Sequence, residues 1–124
     1  MYYINFIFVA FEFQNLTVYR RAKEFHILCN QFIQSTDANK TVKDQLFRAS
    51  FSIALNIAEG SGRFSKPDRK NFFTIARSSI FECVAIFDIL NDNGNIPVSQ
   101  FNMLLEKADH LSRMLFTMVR NLNN

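Results

Sequence analysis

The stretch "IALNIAEGSGRFSKPDRKNFF" runs from Ile53 to Phe73. Asn56, Glu59, Arg63, Ser65 and Asp68 fall within thirteen of its positions. Glu59, with Glu82 further along, could form an acid/base pair. Arg63, Lys66, Arg69 and Lys70 could hold phosphate. Gly60 and Gly62 stand between the two groups. The stretch therefore reads as a catalytic loop, a phosphate cradle or the hinge of a helical hairpin.

The catalytic reading lacks partners. A triad needs a hydroxyl or thiol, a base and an orienting acid that converge. No serine here is an evident nucleophile, and His26 and His110 lie outside the motif. The glycines do not match the Gly-x-x-x-x-Gly-Lys phosphate loop. No Cys/His cluster has metal spacing. No catalytic residue, cofactor or metal is therefore assigned, and the chain reads as a non-enzyme.

The hinge reading has the elements it needs. Val18, Ala22, Phe25, Cys29 and Phe32 recur at helical spacing after Asn15, which is expected to cap a first helix. "STDANK" ends it. A second helix is expected from about Thr41 to Glu59 with two apolar stripes. Leu46, Ile53 and Ile57 form one; Phe47, Phe51, Ala54 and Ala58 form the other, and Leu55 adds surface beyond both. A helix apolar on most sides must be covered on most sides, which argues for a partner chain. Gly60 and Gly62 are expected to end this helix as left-handed caps. Ser65-Lys66-Pro67-Asp68 has the form of a capping box opening the third.

The third helix runs to about Asn91. Phe72, Ala76, Ser79, Cys83, Ile86 and Leu90 form one stripe, and Phe73, Ile80 and Phe87 another. "NDNGNIP" is a loop, and Ser99 is expected to cap the fourth helix. There Phe101, Leu104, Ala108, Leu111, Leu115, Met118 and Leu122 repeat at heptad spacing. Short connections imply antiparallel neighbours. The fold class is all-α: an up-down-up-down antiparallel four-helix bundle.

Composition agrees. At 124 residues and 48 % hydrophobic, the chain suits one domain with a real core. Three glycines and two prolines leave too few turn signals for a sandwich or barrel. Cys29 and Cys83 sit at apolar helical positions and read as buried free thiols. Residues 1–12 begin with the apolar "MYYINFIFVA" and read as an extension before a domain spanning 13–124. The extension lacks a basic n-region and a small-residue cleavage site, and it is too short to span a bilayer. It either packs on the domain or its neighbour, or precedes the real start. The expected location is cytoplasmic.

Charge is uneven. The net is +3, but between Lys40 and Arg77 eight Lys/Arg stand against three Asp/Glu. That region is either a solvated basic edge or a docking surface for a phosphate backbone.

The segment from Leu46 to Glu82 resembles a known family. Its members are small four-helix-bundle proteins encoded in intervening sequences of bacterial 23S ribosomal RNA genes. The family pattern is met by Arg48, Ser52, Ile53, Asn56, Ile57, Ala58, Glu59, Gly60, Arg63, Ser65, Phe72, Ala76, Ser79 and Glu82. The likeness extends over roughly Phe13 to Leu122. It implies a ring-forming homo-oligomer, most simply a homopentamer. It also implies a distant kinship with accessory proteins of diversity-generating retroelements, which bind nucleic acid.

Arg48, Ser52, Asn56, Glu59, Ser79 and Glu82 are read as a structural polar motif. In a hairpin closed at Gly60 to Arg63, Arg48 falls within about a turn of Glu82, and a buried, direct ion pair between the second and third helices is expected. Asn56 is expected to be a buried polar residue that fixes register or oligomer state. Phe47, Phe51, Phe73 and Ile80 are assigned to the oligomer interface. Arg63, Lys66, Arg69 and Lys70 are assigned to nucleic-acid binding. The expected role is an oligomeric scaffold or adaptor that binds structured RNA or DNA through this tip. The alternative is a ring that recruits a protein partner and binds no nucleic acid.

Overall fold

The computed structural model describes residues 11–123; the apolar extension assigned to residues 1–12 lies almost wholly outside them. Four helices follow a short 3-10 turn at Glu12–Asn15: α1 (Thr17–Ser35), α2 (Lys40–Ser61), α3 (Lys66–Asp92) and α4 (Val98–Leu122). Each packs on its sequence neighbours, and α1 closes the ring on α4. The result is an antiparallel four-helix bundle in the order α1–α2–α3–α4. The seam between α2 and α3 is the most extensive.

The apolar stripes build the centre. All five stripe residues of α1, Val18, Ala22, Phe25, Cys29 and Phe32, are buried. Leu104, Ala108, Leu111 and Leu115 of the α4 heptad are buried too. The Phe32 and Phe87 rings meet edge to face at 5.9 Å, a favoured aromatic geometry. Cys29 and Cys83 are free and fully buried. The hydrogen bond to Cys83, then burial, push the Cys29 thiol far above its ordinary range.

The two doubly apolar helices resolve differently. On α3 both stripes turn inward. Phe73 (5 % exposed) and Ile80 (1 %) are core residues of their own subunit, which corrects their assignment to an interface between subunits. On α2 the second stripe divides: Ala54 is buried, whereas Phe47 and Phe51 are 39 % and 44 % exposed. Their rings stack at 5.7 Å, with His26 of α1 set against both.

Helix ends correct several expectations. Ser65 caps α3 and accepts from the Asp68 amide at 3.2 Å. Asn15 caps nothing: it closes the 3-10 turn, and Leu16 enters α1 without a side-chain cap. Ser99 lies inside α4, which starts from Pro97. Asn39, not singled out by the sequence patterns, caps α2 by accepting from the Val42 amide at 2.9 Å.

The glycines also change roles. Neither Gly60 nor Gly62 is left-handed; Gly94 alone has positive φ (72°) among the described residues. Gly94 and Asn95 close α3 with amide bonds back to Asn91 and Leu90, the pattern of a Schellman cap. Gly60 instead is buried where α2 meets α3. A Cβ there would stand 2.7 Å from the Phe73 ring and 3.0 Å from Phe72 Cβ.

Candidate nucleic-acid interface and the polar seam

The α2–α3 turn gathers the basic tip. Arg63, Lys66, Arg69 and Lys70 are all exposed there. Arg69 Nε donates to the Arg63 carbonyl at 2.8 Å and so ties the first turn of α3 to the loop. The Arg63 guanidinium lies over the Phe72 ring at 4.5 Å and 3.8 Å from the Glu59 carboxylate. Glu59 thus serves as an exposed partner of Arg63, one turn away on the same side of the chain. Arg63 and Arg69 are therefore held in place by the hairpin itself.

Beside them stands a residue that the sequence patterns passed over. Phe64 is fully exposed (102 %) between Arg63 and Ser65. An apolar residue in a charged loop carries no periodic signal. Only its position beyond both helix ends reveals it.

Along the same seam, Ser52 and Ser79 meet. Their hydroxyl oxygens lie 3.1 Å apart, and Ser79 Oγ is also 3.1 Å from the Ile75 carbonyl. A hydroxyl has one proton. If the Ser79 proton goes to the carbonyl, the Ser52 proton joins the two serines. Asn56 Nδ2 lies 2.9 Å from both the carbonyl and the hydroxyl of Ser52. Asn56 is half-buried and bonds within α2 rather than across the bundle.

Above this chain the seam opens into a polar groove of about 510 Å³ lined by Asp44, Gln45, Arg48, Ser52, Ser79 and Glu82, among others. Arg48 and Glu82 share the groove, yet no ion pair joins them among the described residues, contrary to the expected pair. Glu82 instead receives Gln45 Nε2 at 3.5 Å. Both Arg48 and Glu82 are exposed, so water competes for each and little Coulomb energy is available to hold them together.

The described residues contain no group of three or more His, Cys, Asp or Glu placed to hold a metal ion. None of the described helices is long and apolar enough to cross a membrane.

Fold and motif together define an all-α, antiparallel four-helix-bundle protein. The chain belongs to the 23S rRNA-intervening sequence protein family, which matches residues 14–117. Among solved structures it is similar to a protein of unknown function from the S23 ribosomal protein family of Bacteroides thetaiotaomicron. The two share 20 % identity with a TM-score of 0.78, covering 83 % of this chain and 98 % of that one. No curated protein matches.

Proposed function

We propose that this protein is a non-enzymatic, ring-forming scaffold that binds structured RNA through the α2–α3 tip. The observation that carries the reading is Phe64, fully exposed amid four cations. Cations track phosphates, and an exposed ring gives an unpaired base a surface to stack on. Burying Phe64 would recover apolar energy that the free subunit forgoes. Arg63 and Arg69 are already ordered by their contacts to Phe72 and the loop carbonyl, which lowers the entropy cost of binding. A ring repeats the tip, so weak contacts add through effective concentration.

The test is a salt titration of binding to a stem-loop RNA. Replacing Arg63, Lys66, Arg69 and Lys70 by Gln should flatten the dependence on salt, because fewer counterions are released. Phe64→Ala should weaken binding to looped RNA by about 1–3 kcal/mol while leaving the salt slope intact. Absence of binding even at about 50 mM salt overturns the reading and favours a ring that recruits a protein.

A further inference from the structure

The polar groove on the α2–α3 seam holds two charges that the fold leaves unspent. Its other polar groups are largely committed. Asp44 accepts from Lys40 Nζ at 2.7 Å. Ser52 and Ser79 are tied to each other, to Asn56 and to the Ile75 carbonyl. Arg48 makes no ion pair among the described residues. Glu82 receives only the Gln45 amide at 3.5 Å, beyond the usual range for an N–H···O bond. The groove thus offers a fork of N–H donors from α2 and a pair of carboxylate oxygens from α3. Together the two side chains are neutral. A phosphate would meet the Glu82 and Asp44 carboxylates here, and like charges so placed repel. The site suits a neutral group with donors on one edge and acceptors on another.

We propose that this groove reads a guanine base. The inference rests on the RNA reading above and names the base that a strand anchored at the tip presents to the seam. Unpaired RNA bases are recognised on their Watson–Crick and Hoogsteen edges. Guanine places two neighbouring donors, N1–H and N2–H, beside two neighbouring acceptors, O6 and N7. The donors fit the two Glu82 oxygens. The acceptors fit the Arg48 fork, the commonest specific contact to this base. Cytosine fills one of the two sites in bidentate fashion, and adenine and uracil fill neither. The groove lining holds no aromatic ring, so the base is gripped by its edges and the gain is selectivity more than affinity. The reach is short. From Ser61, at the end of α2, back to Arg48 is about 20 Å of helix, or about six nucleotides of a stacked strand.

Base analogues test each edge separately. The probe is a fluorescent stem-loop RNA with a single-stranded tail of about six nucleotides that alternates uridine and guanosine. Inosine in place of guanosine removes the N2 amine; 7-deazaguanosine removes N7. Each replacement should weaken binding to the full chain by about 5–10-fold. Glu82→Gln should make the protein indifferent to the inosine replacement, and Arg48→Met indifferent to the 7-deaza replacement. Both side chains are exposed, so helical circular dichroism should be unchanged in each variant. Neither variant should alter the salt slope, because neither loses a phosphate contact. Equal binding of all three tails overturns the guanine site and leaves the tip reading standing. A flatter salt slope in Arg48→Met without dependence on the base makes Arg48 a phosphate contact and also overturns it. If no RNA binds at about 50 mM salt, the tip reading falls, and 5′-GMP and 5′-IMP then probe the groove alone. Amide NMR shifts along α2 and α3 that are larger with 5′-GMP uphold the site; equal or absent shifts overturn it.

Discussion

Gly60 presents its bare Cα to the ring of Phe73. A single added methyl would come within 2.7 Å of Phe73 Cε1. Phe73 is a core residue and cannot swing aside cheaply. Overpacking of this kind costs about 1–3 kcal/mol, against about 1 kcal/mol that alanine gains over glycine in a helix. Gly60→Ala should therefore lower stability by up to about 2 kcal/mol in urea melts. Gly62→Ala meets only the Glu59 carbonyl at 3.6 Å and should be neutral or stabilising. Gly94→Ala, in open space but at φ 72°, should cost about 1 kcal/mol through backbone strain alone.

The serine pair on the α2–α3 seam should be energetically coupled. Ser52→Ala and Ser79→Ala should each cost about 1 kcal/mol, because each strands a partly buried partner. A double-mutant cycle should return a coupling of about 0.5–1.5 kcal/mol. The same cycle on Arg48 and Glu82 should return a value near zero. Coupling in the charged pair and none in the serines would reverse the account of this seam.

Acid should loosen the α1–α2 side. Burial lowers the pKa of His26 below its ordinary value of 6.5. Between the lowered value and 6.5 the unfolded chain therefore binds more protons than the folded one. The stability held by neutral His26 is complete above about pH 6.5 and is lost as pH falls toward the folded value. His26 Nδ1 lies 2.8 Å from Ser50 Oγ, and Ser50 Oγ donates to the Phe47 carbonyl at 3.1 Å. With that proton so placed, His26 supplies the proton between the two side chains. His26→Gln should flatten the decline in stability between about pH 7.5 and 5.5, measured by thermal melts. An unchanged slope would assign the decline to other groups.

Much of this architecture was readable from spacing. The α1 and α4 stripes name their core residues because one face of each helix is apolar and the other polar. Spacing fails where a helix is apolar on two faces. Phe47 and Phe73 are the same residue type at the same kind of position, yet one is outside and one inside. The difference lies in which neighbour each helix leans on. Gly60 failed for a related reason: glycine is read as punctuation when it follows a helix, whereas its use here is set by a ring thirteen residues away. Hairpin arithmetic placed Arg48 and Glu82 in one groove, since it fixes axial height. It does not fix whether two long side chains turn toward each other. Ser65 and Asn39 cap by the same chemistry, but only Ser65 stands in a pattern that announces itself.

The facing thiols of Cys29 and Cys83 give the bundle a clock. Both sulfurs are sealed from solvent, and Cys29 is held in its unreactive protonated form. A thiol reagent can reach them only when the core between the helices opens. Under native conditions, the labelling rate therefore counts whole-bundle openings rather than surface chemistry. Divided by the rate in the unfolded chain, it yields the opening free energy with no denaturant and no extrinsic probe. A ligand or neighbouring subunit that binds the closed bundle should slow this clock in proportion to the stability it adds.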